Sequence, residues 1–316
     1  MLGRRLVSTS MRIRYGCELG LLVTQPTPAL CLVDVHPDRR NDVLEEQPLH
    51  RESGLPLKVG YDAFGNILQR CMLAPGETFL RLSGTVRDTG ELDTRDVEAP
   101  AVAPIDVPDD IAIFLKGSRY CETDEMAALA WSTFGHLPPG ACMVQAICDF
   151  AHERLAFDYQ RARSTRIALQ AYHERTGVCR DFTHLAITLC RAMNIPARYV
   201  NGYLGDIGVP PDPAPMDFNA WFEVYLGGKW YTFDARHNQR RIGRIVIARG
   251  RDACDVPMLH TFGPHILKTF RVITEGIKKR RSRGRPDLAL TVAETFAGYV
   301  RAAEEWTDSG LKGVGF

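Results

Sequence analysis

Cys179 differs in its setting from the other eight of the nine cysteines, which are scattered singly along the chain. A predicted helix ends at Gly177, and an amphipathic helix is predicted to begin at Cys179 itself. A thiol at a helix amino terminus lies near unpaired backbone N–H groups, which favour the thiolate and can stabilise an oxyanion. A free cysteine is more often a buried core residue, but this position favours reactivity. Cys179 is therefore an equal candidate for nucleophile and for structural residue.

Segment 217–234 predicts a β-hairpin that could carry the partners of a nucleophile. Two runs rich in aromatic and β-branched residues flank Gly227-Gly228, a pattern typical of a two-residue turn. With the residues beside the turn paired, Trp221 lies opposite Asp234, and Asn219 is a diagonal neighbour on the same face. A base at position 219, oriented by Asp234, would complete a nucleophile, base and orienter set, but position 219 holds asparagine.

The elements around these residues predict an α+β core, because helices come first and antiparallel strands follow. Thr123 can cap the first helix, and Cys148 falls on the apolar stripe of the second, where it is most simply a core residue. Helices are expected at 124–134, 144–155, 165–174 and 179–193. Strands are expected at 197–204, 217–226, 229–234, 244–248 and 265–273.

The front of the chain predicts a small antiparallel β domain, since short apolar runs alternate with turn residues. The runs 57–61 and 67–73 flank the turn sequence YDAFGN and indicate a hairpin. The predicted organisation is an amino-terminal β domain (1–87), an acidic proline-rich linker (88–110), a core (111–275), and a basic run with a helical tail (276–316).

The composition excludes a disordered chain and a generic nucleic-acid binder, because 45% of residues are hydrophobic and 39 Lys and Arg balance 38 Asp and Glu. No apolar run approaches the ~20 residues that span a bilayer, and the first residues lack a signal peptide's apolar stretch. We therefore expect a cytoplasmic location, no membrane and reduced thiols. The basic run 278–285 is typical of a solvated linker, and docking of nucleic acid or an acidic partner through it is a weaker hypothesis.

Two strings closely resemble the bacterial transglutaminase-like superfamily, whose architecture is papain-like: GVCRDF at 177–182 and WFEVYLGGKWYTFDARHN at 221–238. YDAFGN at 61–66 looks like part of the β-sandwich domain that precedes the core in many such proteins. The resemblance covers most of the chain but not the basic run and tail. It implies an antiparallel β-sandwich followed by a papain-like α+β core.

The resemblance also implies roles for particular residues. Cys179 would be the nucleophile and Asp234 the third triad member, with histidine expected where this chain has Asn219. An amide has no basic lone pair, so Asn219 cannot take the proton of the thiol or protonate a leaving amine. Since general acid–base catalysis typically contributes ~10²–10⁴ in rate, amide hydrolysis or transamidation should be strongly impaired.

Four explanations of Asn219 are open. The reaction could have changed to one with a better leaving group, such as a thioester, or the cleft could serve binding alone. Another histidine could reach the thiol, although His184 should point away from it and His237 should face away unless the strand breaks after Asp234. A deliberate histidine-to-asparagine replacement that traps an acyl-enzyme would leave the same sequence.

Further candidates for substrate contacts are Trp221, Arg180 and Asp181, although aromatic residues on a hairpin are more often core and charges in a first helical turn often cap it. The loop 205–216 could cover the cleft or simply connect two strands. No metal or nucleotide cofactor is expected, because the sequence holds no zinc spacing and no phosphate-binding glycine motif.

The expected function is transfer or hydrolysis of an acyl group through a Cys179 acyl-enzyme. Its substrate would be a peptide, a protein side chain, or a small amide or thioester, and its chemistry would be impaired or re-specified by Asn219. The alternative is a catalytically inactive protein of the same fold that binds a partner or acts as a scaffold. The oligomeric state is open.

Overall fold

The computed structural model describes residues 10–51 and 57–277, and the α+β class expected from the sequence is confirmed. The helices are α1 (Thr123–Phe134), α2 (Ala141–Arg154), α3 (Ala168–Glu174) and α4 (Cys179–Ala192). The strands are β1 (Met11–Val23), β2 (Thr27–Cys31), β3 (Val43–Arg51), β4 (Lys58–Tyr61), β5 (Ile67–Leu73), β6 (Gly76–Asp88), β7 (Ala156–Phe157), β8 (Thr176–Gly177), β9 (Ala197–Tyr203), β10 (Asn219–Leu226), β11 (Lys229–Phe233), β12 (Ile245–Gly250), β13 (Leu259–Thr261) and β14 (His265–Ile277).

Two four-stranded antiparallel sheets contain the amino-terminal strands, in the orders β14-β1-β6-β3 and β13-β2-β5-β4. The middle of β1 is buried on both faces, since every residue from Tyr15 to Leu21 is buried, and the apolar side chains of one face belong to the core: Ile13, Tyr15, Cys17, Leu19 and Leu21. The last two strands of the described chain, of which only β14 was expected from the sequence, join these sheets. Strand β14 pairs with β1, and β13 pairs with β2.

The predicted hairpin at YDAFGN is present, with Tyr61 paired to Ile67. The carboxylate of Asp62 accepts hydrogen bonds from the backbone N–H groups of Phe64 and Asn66. Asn66 is buried, and its side chain both donates to the carbonyl of Arg249 and accepts from its N–H group. The turn therefore contacts β12, a strand of the core sheet.

The core sheet has the order β11-β10-β9-β12, and α4 packs on β9 and β10 with nearly all of its residues buried. The predicted hairpin register is confirmed, because Leu226 pairs with Lys229 and Phe222 with Phe233. Strand β11 ends at Phe233, however, so the predicted pairing of Trp221 with Asp234 is not formed. A turn at 235–237 follows, so the chain after Asp234 does not continue along β10.

Three predicted helix starts are wrong, and the first of them is that of α2, which begins at Ala141 instead of 144. Thr123 is the first residue of α1 and caps nothing, since Glu122 occupies the cap position without a side-chain hydrogen bond. Helix α3 begins at Ala168 instead of Thr165. It ends at Glu174 as predicted, and Arg175 follows with a φ of 56°, in the left-handed region. The apolar stripe predicted for α2 is buried as expected, Cys148 included.

The predicted linker 88–110 packs against the core. The carboxylate of Asp93 accepts from the Arg244 guanidinium at 2.9 Å and from the backbone N–H of Arg241 at 2.9 Å. Ala101 forms a β-bridge to Leu226 at the end of β10. The basic run at 278–285 and the helical tail lie outside the described residues. Among the helices of residues 10–51 and 57–277, none has the length and apolar character needed to cross a membrane.

Candidate functional site

Helix α4 places Cys179 at its first position, beside the start of β10. The residue is half-buried, and its thiol receives the backbone N–H of Ala220. The helix begins here because Asp181, at its third position, accepts a hydrogen bond from the N–H of Val178 at 2.9 Å. The sulfur therefore lies where α4 meets the core sheet.

Burial raises the pKa of the Cys179 thiol to about 11, which is opposite to the lowering expected from a helix terminus alone. Of the neighbouring charges, Arg236 has the largest effect and lowers the pKa, whereas Asp217 raises it. The loss of solvent raises the pKa of Cys179 more than the Arg236 cation lowers it, so the thiol is protonated near neutral pH. A nucleophilic Cys179 needs a group that accepts its proton.

Asn219 binds the side chain of Arg236 and two backbone carbonyl groups. Its amide nitrogen donates to the carbonyls of Leu204 at 3.3 Å and Asp217 at 3.2 Å. Its amide oxygen accepts from Nη1 of Arg236 at 3.1 Å. The guanidinium of Arg236 also lies over the ring of Phe157, 3.9 Å from its centroid. Arg236 is thus fixed from two sides next to Cys179.

Asp234 is buried beside a different set of partners from those expected. Its carboxylate accepts from Nη2 of Arg244 at 2.9 Å, and from the backbone N–H at 3.0 Å and Nδ1 at 2.9 Å of His237. Burial acts to raise the pKa of Asp234, yet Arg244 and His237 hold it well below its usual range. Asp234 was expected to orient the residue at 219, but its carboxylate is hydrogen-bonded to His237 instead.

The two histidines considered as replacement bases have different positions. His184 is buried, with its ring stacked on Tyr120 at 5.1 Å and its Nε2 accepting from the N–H of Ala253, so the prediction that it points away is confirmed. His237 turns back because β11 ends at Phe233, and it lines the same cleft as Asn219. His237 was expected to face away unless the strand broke near Asp234, and the strand does end there.

The three residues predicted to contact substrate have structural partners. Trp221 is 1% exposed, with the guanidinium of Arg244 over its ring at 4.9 Å, and it does not line the cleft. Asp181 is buried and accepts from Arg166 at 3.0 Å. Arg180 donates to the carbonyl of Ser164 at 3.3 Å and so holds the loop before α3.

A cleft lies beside Asn219, with the loop 205–216 forming one wall. Its lining includes Tyr159, Asp217, Asn219, Arg236, His237 and Arg241. Sequence reasoning missed Asp217 as a site residue, although a signal was present. Residues two apart along an extended segment point to the same side, so Asp217 could have been expected beside position 219. Among the described residues, no group of three or more His, Cys, Asp or Glu is arranged to hold a metal ion.

Burial raises the pKa of Asp217 to about 7, against the lowering effects of the Phe218 N–H group and of Arg236. An unfolded aspartate titrates near ~4, so the stability that protonated Asp217 contributes is complete below that pH and is lost as the pH rises through about 7.

Asp217→Asn is therefore expected to stabilise the fold at alkaline pH. Asparagine keeps an oxygen for the Phe218 N–H but carries no buried charge. Relative to the native chain, we expect the free energy of unfolding to rise by roughly 2 kcal/mol more at about pH 8 than at about pH 4.5. Urea denaturation at both pH values measures it, and a difference that does not change with pH would contradict this account.

The core of the chain is similar to known proteins. The family model described as the transglutaminase-like superfamily matches residues 128–235, a range that contains Cys179, Asn219 and Asp234. A crystal structure of a candidate cysteine protease from Cytophaga hutchinsonii has a TM-score of 0.76 and 28% sequence identity. The alignment covers 89% of this chain and 95% of that one, so the similarity includes the amino-terminal sheets as well as the core.

Curated relatives match over a shorter range. An uncharacterised protein of Mycobacterium leprae is 35% identical over 94 residues, which are 29% of this chain and 33% of the relative. One of Mycobacterium tuberculosis is 34% identical over 134 residues, 38% of this chain and 42% of the relative. The chain therefore spans less than half the length of these curated relatives.

Proposed function

We propose that this chain, whose residues 128–235 match the transglutaminase-like superfamily model, transfers or hydrolyses acyl groups through an acyl-enzyme on Cys179. The observation that carries the proposal is the position of the thiol. Cys179 begins α4, receives the N–H of Ala220, and lies close enough to Arg236 and Asp217, two residues that line the cleft, for both charges to affect its thiol. Similarity to a candidate cysteine protease over most of the chain supports the same chemistry.

The backbone around Cys179 supplies the groups that an acyl transfer needs. The first N–H groups of a helix have no partner within the helix, so those of Cys179 and Arg180 at the start of α4 can stabilise the oxygen that becomes negative when sulfur attacks a carbonyl carbon. Arg236 lowers the pKa of the thiol and so stabilises the thiolate, a task for which many thiol enzymes use an imidazolium. Asn219 then acts as a positioning residue, because its oxygen binds the Arg236 guanidinium.

The acyl donor we propose is a thioester or another ester with a good leaving group. Such a group departs without being protonated, whereas an amine does not, and Asn219 provides no proton. A peptide, a protein side chain or a small amide would react more slowly through the same acyl-enzyme. We also propose that the protein is located in the cytoplasm.

We expect p-nitrophenyl acetate to add one acetyl group to the protein, at Cys179. Although burial raises the pKa of Cys179, this thiol should react faster than the exposed thiols of Cys142 and Cys254, because backbone N–H groups at the start of α4 can stabilise the oxyanion formed when its sulfur attacks the ester. Intact-protein mass spectrometry gives the number of acetyl groups, and peptide mapping gives their position. Preferential acetylation of Cys254 would contradict the proposal.

One observation favours the alternative of a binding or scaffold protein. The raised pKa of Cys179 leaves little thiolate at neutral pH, and Asn219 provides no base. If acetylation and iodoacetamide labelling were both no faster at Cys179 than at Cys254, the cleft would serve binding alone. Turnover of the acetyl group, seen as steady release of p-nitrophenol, would support an enzyme.

A further inference from the structure

Arg236 lines the cleft with a guanidinium group that has no carboxylate partner. Its Nη1 donates to the amide oxygen of Asn219 at 3.1 Å, and the group lies 3.9 Å from the ring centroid of Phe157. In the part of the chain that the structure describes, no carboxylate forms an ion pair with Arg236. Both of its partners are uncharged, and only one of its five N–H donors is used, so Arg236 can still bind an anion.

A second arginine of the cleft lining, Arg241, also has an unused donor. Its side chain is only 3% exposed, and its Nη2 donates to the carbonyl of Gly205 at 2.9 Å and lies 3.6 Å from the carboxylate of Asp206. Its Nε is buried without a hydrogen-bond partner among the described residues. A buried N–H group without an acceptor is costly, so a cleft lined by these two arginines favours a ligand with an anionic oxygen.

The acidic residues of the lining leave the charge of Arg236 available. Asp206 is the neighbour of Arg241, and it also accepts from the N–H of Asp212 at 2.7 Å. Asp212 is exposed and accepts from the N–H of Ala214 at 2.9 Å. Burial raises the pKa of Asp217 to about 7, so below neutral pH its carboxyl group is mostly uncharged and can donate a hydrogen bond to an anion.

We propose that the cleft binds a carboxylate group of the acyl donor and that Arg236 is the residue that contacts it. The substrate class is therefore an activated ester of a small dicarboxylic acid, or a peptide with a free carboxyl terminus. A planar guanidinium can bind both oxygens of a carboxylate through parallel N–H groups, which suits this task. The inference rests on the proposed function, because it names the substrate of that function.

This proposal gives asparagine at position 219 a positive role. The amide oxygen of Asn219 holds Arg236 without neutralising it, whereas an acid at this position would take the charge that the ligand needs. Ala220, whose N–H reaches the thiol of Cys179, is the next residue of β10. Neighbouring residues of a strand are only about 3.3 Å apart along it, so an acyl chain of a few carbon atoms can extend from Arg236 to the thiol.

The test compares two esters that differ only at one end. Mono(p-nitrophenyl) adipate carries a carboxylate where p-nitrophenyl hexanoate carries a methyl group. At about pH 6.5, after correction for reaction with water, we expect the native chain to acylate Cys179 about tenfold faster with the adipate ester. Arg236→Met should bring this ratio near one. A change in the reactivity of the thiol itself affects both esters and cancels in the ratio.

Arg240→Met is the matched control, and it should keep the native ratio. Arg240 is exposed, donates only to the carbonyl of Asp93, and does not line the cleft. Arg236→Lys keeps the charge but lacks the planar pair of donors, so its ratio should fall between those of the native chain and Arg236→Met. Urea denaturation verifies that each variant is folded, and if Arg236→Met does not fold, a ratio in Arg236→Lys equal to the native one contradicts the proposal.

Binding can also be measured without a reaction. With arginine labelled by ¹⁵N, NMR titration with adipate should give a saturable shift of the Arg236 Nε–H signal, and hexanamide, which has no carboxylate, should give none. N-acetyl-dialanine and its carboxyl-terminal amide test the peptide in the same way. A stronger effect of N-acetyl-dialanine than of adipate indicates a peptide end, and the reverse indicates a small dicarboxylic acid.

The outcomes separate this inference from the proposed function. Acylation of Cys179 at equal rates by both esters, without a shift of Arg236 by adipate, would overturn the carboxylate site and leave the acyl-enzyme standing. A saturable shift of Arg236 in a chain whose Cys179 reacts with neither ester would overturn the proposed function and support carboxylate binding alone.

Discussion

An Arg244→Met variant is expected to lose about 3–5 kcal/mol of the free energy of unfolding near neutral pH. Arg244 is buried between two carboxylates, with Nη2 2.9 Å from Asp234 and Nε 2.9 Å from Asp93. Methionine fills much of the volume but leaves Asp234 buried with only His237 as a partner. The loss is large because a buried charge without its counter-charge is costly, even when the intact pair adds little net stability.

The same variant has a predicted pH dependence. The pKa of Asp234 is depressed in the folded chain, so its stabilising effect is present above the pKa of an unfolded aspartate, near ~4, and is lost as the pH falls. Without Arg244 the carboxyl group can protonate more easily. The deficit of Arg244→Met should therefore be greatest near neutral pH and smaller at about pH 4.5.

Urea unfolding at the two pH values measures the deficit, with Arg240→Met as the control. Arg240 is exposed and donates only to the carbonyl of Asp93, so its loss should cost about 1 kcal/mol or less. Equal costs for the two arginines would show that the Asp234 pair does not hold the turn after β11.

Local patterns predicted most of the core, because helix stripes and a hairpin turn depend on residues close in sequence. The stripe of α2, the start of α4 at Cys179 and the register of Leu226 with Lys229 all follow from such patterns. The pairing of β14 with β1 depends on segments more than two hundred residues apart, which no local period reveals.

The sequence correctly predicted that Cys179 begins a helix, but it did not predict the contacts of Asn219 and Asp234. A hairpin register extended to Asp234 was reasonable, yet β11 ends one residue earlier, and the turn that follows exchanges the neighbours of both Asn219 and Asp234. The early end of one strand therefore removed both expected neighbours of Asp234, which were Trp221 and Asn219. The pKa of Cys179 was also mispredicted, because burial, which depends on the whole fold, outweighs the helix terminus.

The substitution Asn219→His should restore little amide hydrolysis alone and much more when His237 is also removed. Asp234 would have to orient the new imidazole, but its Oδ2 already accepts from His237 and Arg244. With His237→Ala, one acceptor position on Asp234 becomes free. We expect the rate of amide hydrolysis to rise less than tenfold in Asn219→His and roughly 10²-fold in the double variant, because a positioned general base typically contributes at least that much.

Release of p-nitroaniline from small acyl p-nitroanilides measures this gain, with His237→Ala alone as the control that should gain nothing. A full 10²-fold gain in Asn219→His by itself would show that His237 does not block Asp234.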